Sequence, residues 1–282
     1  MEDMRVPIVL FDVDGTITES RKRIEKHVLM ALRELSHIAE IGFLSGSNLD
    51  FIKEQLWPLF ADKSVNINCH ILPCNGTEYW VPNPDVPGSF IEIASTSMVQ
   101  EVGFEVYQQI IKTMIILQAE IAKSDYDIPF TGHHIQNRNS MFNWCPIGRN
   151  ANHSERAQFM AMDQMYGIRN KFLMDFKRSL FDAKINNVEV KLAGDTSFDI
   201  FPKGWDKTYV FNHFPQDEWE IYFVGDRCYP NGNDYEIYNA LCHDGRAFET
   251  GSPEETVEII DVHLLRMLKK KQKSIFSKCL DT

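Results

Sequence analysis

Paired cysteines are missing from this chain. Its six cysteines (Cys69, Cys74, Cys145, Cys228, Cys242 and Cys279) form no CxxC spacing and no dense framework. That excludes a small disulfide-stapled scaffold and predicts reduced thiols in a cytoplasmic setting. No positively charged leader precedes an apolar core, and no apolar run is long enough to cross a bilayer, so neither secretion nor membrane insertion is expected. Without secretion, Asn75-Gly76-Thr77 and Asn152-His153-Ser154 read as chance matches to glycosylation acceptors. Positive charge is also scarce. Lys and Arg number 29 against 40 Asp and Glu, a net charge of −11, which argues against nucleic-acid or anionic-membrane partners. Internal repeats are absent. What remains is an ordinary globular composition, 44% hydrophobic and 24% charged, in 282 residues, enough for about two domains.

The chain is organised around Phe11-Asp12-Val13-Asp14-Gly15-Thr16, which follows the apolar run Val6 to Leu10. That run has no polar face and reads as a buried strand of a parallel sheet. Ligands of open α/β sheets bind where such strands end. Asp12 is ionised at neutral pH and needs no base to act as a nucleophile. Its obstacle is repulsion from a phosphate, which a hard cation such as Mg²⁺ removes. Asp14 is then free to pass a proton to or from an oxygen. A calcium loop is excluded, because the positions that need Gly and an acid hold Ile17 and Arg23. The remaining alternative is an ordinary strand-end turn.

Along the chain, Ile24, Val28, Leu29, Leu32 and Leu35 recur at helical spacing, and Ala39 to Leu44 reads as a strand. Ser45-Gly46-Ser47 then leads into a helix expected from Leu49 to Phe60, a turn equally suited to phosphate or to plain chain reversal. A strand is expected from Ile67 to Pro73. Three prolines between Trp80 and Ser89 mark a boundary or hinge. A long helix is expected over Glu101 to Lys123, a strand over His134 to Trp144, and mostly helix over Glu155 to Phe181. Val188 to Leu192 and Ser197 to Phe201 alternate as strands. This middle block reads as an antiparallel sheet with helices on one face. Ile221 to Val224 is a second buried strand ending in an acid, Asp226. A last helix, Pro253 to Lys269, is expected to end in a solvated lysine run.

These residues resemble a known family. The stretch from Phe11 to Thr16, then Gly204-Trp205-Asp206-Lys207, then Gly225-Asp226 with Asn233-Asp234, resemble motifs of haloacid-dehalogenase-type phosphotransferases. Ile41 to Ser47, Asn137-Arg138-Asn139, Pro146 to Arg149, Ser154-Glu155-Arg156, and Ser197-Phe198-Asp199 into Phe201-Pro202 resemble the eukaryotic-type phosphomannomutases. The resemblance implies an α/β fold: a Rossmann-like core with a parallel sheet from residues 1–83 and 203–282. An inserted α+β cap with an antiparallel sheet would span 84–202. It implies Asp12 as nucleophile, Asp14 as general acid/base and Lys207 as the cation beside them. Asp12, Asp14, Asp226, Asn233 and Asp234 would serve Mg²⁺. Arg21, Ser45, Ser47, Arg138, Arg149, Arg156, Ser197 and Asp199 would bind substrate. A homodimer through the caps is also implied.

The implied reaction interconverts mannose 6-phosphate and mannose 1-phosphate, with a hexose 1,6-bisphosphate as intermediate and activator, feeding GDP-mannose synthesis. A sugar-phosphate phosphatase, a mutase that also takes glucose phosphates, and a non-catalytic binding protein are the alternatives. The arginine-rich middle block favours a mutase, because planar guanidinium forks grip a second phosphate. Three positions depart from the familiar pattern: Ser45 and Asn231 stand where Gly is usual, and Cys74 where an acid is usual.

Overall fold

In the computed structural model, residues 5–61, 69–86 and 88–280 are described. The chain divides into two compact units. One comprises residues 1–95, 207–230 and 234–282; the other comprises 96–206 and 231–233.

The first unit is built on strand β1 (Val6–Phe11), which lies between two parallel neighbours and is buried on both faces. Helix α1 (Lys26–Leu35) returns the chain to β2 (Glu40–Leu44). Helices α2 (Leu49–Gln55) and α3 (Trp57–Ala61) precede β3 (Cys69–Leu72). The single helix expected here is broken at Leu56, because Pro58 has no N–H to continue the first helix and belongs to the opening turn of the next. Residues 67 and 68 of the expected strand lie outside the described residues. β4 (Glu78–Pro82) and β5 (Phe90–Ser95) then form an antiparallel hairpin on the same sheet.

Of the proline-rich stretch, Pro82 ends β4 and Pro84 lies in the turn that follows; the units divide after Ser95. Pro82 is tolerated because it closes its strand. The full sheet runs β11-β10-β1-β2-β3-β4-β5, parallel from β11 (Ala247–Glu249) and β10 (Trp219–Gly225) through β3. Alternation of strand residues gives the sheet two apolar faces. Val9, Phe11, Ile41, Phe43 and Val224 pack with α1 residues and with Ile260 and Leu264. Ile8, Leu10, Leu44, Ile221 and Phe223 pack with Val210, Phe214, and Ile237 and Leu241 of α8 (Tyr235–Cys242). The C-terminal helix comprises α9 (Pro253–Glu258), a π-helical segment (Ile259–Leu264) and α10 (Leu265–Leu280). It continues past the lysine run expected to end it. Lys269 pairs with Glu34 and Lys271 with Glu220, so these lysines lie along a docked helix.

In the second unit, α4 (Met98–Val102) and α5 (Phe104–Lys123) are separated by Gly103, and α6 (His153–Tyr166) and α7 (Ile168–Asp182) by Gly167. Both glycines take positive φ, which breaks the continuous helices that periodicity alone predicts. A four-stranded antiparallel sheet has the order β6-β7-β9-β8. Its strands are β6 (Ile135–Asn137), β7 (Phe142–Trp144), β8 (Val188–Ala193) and β9 (Ser197–Pro202). The single strand expected from His134 to Trp144 is a hairpin, turned where Arg138 N–H donates to the Met141 carbonyl. Trp144 and Phe198 stack at 4.7 Å inside a core that includes Met114, Leu117, Phe172 and Phe176.

Candidate active site

Asp12 leaves the end of β1, its N–H donating to the Val224 carbonyl of β10 at 2.9 Å. The loop after it closes on itself. The Val13 carbonyl accepts the Ile17 and Thr18 N–H groups, and Gly15 N–H donates to Thr18 O at 2.7 Å. Thr256 Oγ1 donates to Thr16 O at 2.7 Å and ties the loop to α9. The Thr16 hydroxyl is buried without a hydrogen-bond partner among the described residues.

Two glycines let the acids converge. Gly15 has φ +86°, and a Cβ there would stand 2.4 Å from Asp226 Oδ2. A Cβ on Gly225 would stand 2.8 Å from Asp234 Cγ. With both Cβ atoms missing, oxygens of Asp12, Asp226 and Asp234 lie within 4.8 Å of one another. These acids come from residues 214 and 222 positions beyond Asp12, joined because β1 and β10 are parallel neighbours ending at one level. Lys207 enters the cluster fully buried. Its ammonium donates to Asp12 Oδ1 and, at 2.5 Å, to Asp234 Oδ1.

Burial pushes the Asp12 carboxyl well above the ordinary carboxylate range, against the pull of Lys207 and with repulsion from Asp234 and Asp226. Asp226 is pushed up to about 6, by burial first and then by Asp234. Burial alone would lower Lys207, but Asp12 and Asp234 outweigh it and hold the ammonium charged. Three crowded carboxylates face Lys207, with Arg227 Nε 3.5 Å from Asp226 Oδ2, and Asp226 Oδ1 is buried with no hydrogen-bond partner among the described residues. An acidic group of this kind can hold a hard cation. Asn233 immediately precedes Asp234, and its Oδ1 is also buried without a partner among the described residues.

Asp14 is not one of the three grouped carboxylates. Its Oδ1 accepts the Arg21 N–H at 2.8 Å and Gln55 Nε2 at 2.8 Å. Arg21 makes this contact through its backbone, held at φ 61°, with its side chain exposed. Ser45 Oγ accepts the Ser47 N–H at 3.0 Å, so one serine braces the other. The Ser45 and Ser47 carbonyls accept the Asn75 and Cys74 N–H groups, which fastens this turn to the end of β3.

In the second unit a polar cluster lies on β7 and β9. Asn143 pairs with Asp199 in register, and Asn143 Nδ2 donates to Asp199 Oδ1 at 2.8 Å. Arg149 donates to Asn143 Oδ1 at 2.6 Å, and Arg138 lies 3.9 Å from Asp199. Arg156 donates to Thr196 Oγ1 at 3.1 Å and lies 3.9 Å from Asp195. Ser197 is buried at the start of β9. The sequence reading did not single out Asn143, which links Arg149 to Asp199, or Gln55. Asn143 sits between Phe142 and Trp144, where a polar residue in a buried strand is a legible signal. Gln55 had none, since its helix position looks like any other.

A sequence profile of eukaryotic phosphomannomutases matches residues 28–266. A phosphomannomutase from Saccharomyces cerevisiae is 36% identical over 256 residues, covering 90% of this chain and 92% of that protein. One from Encephalitozoon cuniculi is 33% identical over 262 residues, covering 92% and 94%. Among solved structures, a truncated IMP-nucleotidase of Plasmodium falciparum bound to IMP superposes with a TM-score of 0.62. At 12% identity it covers 91% of this chain and 67% of its own, a likeness of fold.

Proposed function

The chain belongs to the eukaryotic phosphomannomutase family, and from that premise we propose that it interconverts mannose 6-phosphate and mannose 1-phosphate. The reaction runs through an aspartyl phosphate on Asp12 and a hexose 1,6-bisphosphate, which also primes the enzyme. The observation that carries this reading is the convergence of Asp12, Asp226 and Asp234 on one site with Lys207 inside it.

Asp12 Oδ attacks the phosphorus of the bisphosphate, and the phosphorus–oxygen bond to the sugar breaks. Asp14 gives its proton to the departing sugar oxygen, and in the return step takes one from the attacking hydroxyl. Lys207 balances charge at Asp12 and holds that carboxylate in place. Asp12, Asp226 and Asp234 would hold Mg²⁺, with Asp14 and Asn233 supporting it, and the bound ion supplies charge neutralisation on the transferring phosphoryl group. Ser47 or Ser45 binds that phosphoryl group, together with Arg21. Arg138, Arg149, Arg156, Ser197 and Asp199 recognise sugar hydroxyls and the phosphate that is not reacting; guanidinium forks suit the latter.

Among the described residues no helix is long and apolar enough to cross a membrane. A cytoplasmic homodimer through the second unit, feeding GDP-mannose synthesis, completes the proposal. The exposed Phe104, Ile115 and Ile116 of α5 support that contact.

The test is turnover of mannose 1-phosphate with Mg²⁺ and glucose 1,6-bisphosphate, run beside glucose 1-phosphate. Isomerised sugar phosphate, lost in Asp12→Asn, supports the mutase. Free sugar with inorganic phosphate supports a phosphatase instead, and full activity in Asp12→Asn removes the nucleophile.

A further inference from the structure

We propose that Gln55 is a positioning residue for proton transfer, holding Asp14 by one carboxylate oxygen so that the other serves the sugar. This rests on the reading of Asp14 as the general acid/base.

Gln55 is the last residue of α2 and is 4% exposed. Its backbone carbonyl accepts the Ile24 N–H at 2.9 Å, which places the residue independently of its side chain. The side-chain amide then donates twice, to Asp14 Oδ1 at 2.8 Å and to Thr18 Oγ1 at 3.2 Å. Thr18 donates in turn to Val13 O, inside the loop that carries Asp14. Oδ1 of Asp14 also accepts the Arg21 N–H. Arg21 is a non-glycine residue held at φ 61°, a conformation that costs about 1 kcal/mol or more and persists where surroundings impose it. Two donors from different segments thus converge on Oδ1, while Oδ2 carries no hydrogen bond among the described residues. An acid/base whose rotamer is fixed by supporting hydrogen bonds presents its free oxygen at a constant place.

This role is separable from a general effect on the site by the leaving group. A sugar alkoxide must gain a proton as its bond to phosphorus breaks. A 4-nitrophenolate leaves with the electron pair and needs none. Gln55→Met keeps the length and burial of the side chain and removes both donors. Gln55→Glu keeps the shape and replaces the donors with an acceptor. Both are to be measured with Mg²⁺ for steady mutase turnover of mannose 1-phosphate and for the first-turnover burst of 4-nitrophenolate from 4-nitrophenyl phosphate.

The expected result for either folded variant is a loss of kcat of about tenfold or more on the sugar, with KM nearly unchanged and the burst rate within about twofold of wild type. Equal losses on both substrates, or no loss on the sugar, overturn the positioning role. Wild-type protein that fails to turn over the sugar overturns the mutase reading itself, and the inference with it. An active wild type with an unselective Gln55→Met variant overturns the inference alone.

Discussion

Replacing Lys207 with methionine removes an ammonium that lies between two buried carboxylates. Asp12 is 4% exposed and Asp234 is fully buried, so neither can recover its hydration in place. At an effective dielectric constant of about 20, two unit charges no more than 4.8 Å apart repel by at least about 3.5 kcal/mol. In the wild type Lys207 offsets that repulsion at much shorter range. Removing one member of a buried ion pair typically costs about 3–5 kcal/mol. For a unit of this size that is a fall in Tm of about 6 to 20 °C. Thermal unfolding with a chelator present reads this directly. Divalent ion should then recover more stability in Lys207→Met than in the wild type, because it replaces the missing positive charge among the same oxygens. A Tm within about 2 °C of wild type without divalent ion would show that the acids are not poised against one another as described.

Three further outcomes follow. Asp226 moves from 3.8 to about 6 in the folded state, so its ionisation costs the ion-free protein up to about 3 kcal/mol above that pH. The folded form binds the extra proton, so ion-free stability falls as pH rises between those values, and a bound cation offsets the loss. Mg²⁺ should therefore raise Tm more at about pH 7.5 than at about pH 5; an equal rise at both refutes the assignment. Gly15→Ala places a methyl where Asp226 Oδ2 stands and demands φ +86° of alanine, so it should lower Tm and weaken Mg²⁺ binding by calorimetry. Asp199→Ala leaves Asn143 and Arg138 without their shared partner. It should raise KM for mannose 1-phosphate about tenfold or more while leaving the 4-nitrophenolate burst unchanged.

Much of this centre is legible in the chain because its chemistry is concentrated at strand ends. Asp12 and Asp226 each follow a short apolar run, and apolar runs of that kind are parallel strands with acids at their reactive edge. The pairing of β1 with β10 is what a sequence cannot display by spacing alone, and family resemblance supplied it. Positions of helix breaks were less legible. Gly103, Gly167 and Pro58 each interrupt an apolar periodicity that runs straight through them, because one residue's backbone can end a helix without disturbing its stripe. The hairpin of β4 and β5 was hidden by Pro82 and Pro84, because strand ends and turns tolerate proline as readily as linkers do. Asn143 is legible as a polar residue in a buried strand although its partners are not, and Gln55 carries no signal at all. Each acts by a hydrogen bond to a residue far along the chain, and neither residue type announces such a partner.

The most direct measurement is the site of phosphorylation. Protein incubated with Mg²⁺ and glucose 1,6-bisphosphate, quenched and reduced with borohydride, should yield homoserine at position 12 on peptide mass spectrometry, and Asp12→Asn should yield none. Reduction at another aspartate, or none in protein that turns over mannose 1-phosphate, would contradict the role given to Asp12 and the carboxylate cluster around it.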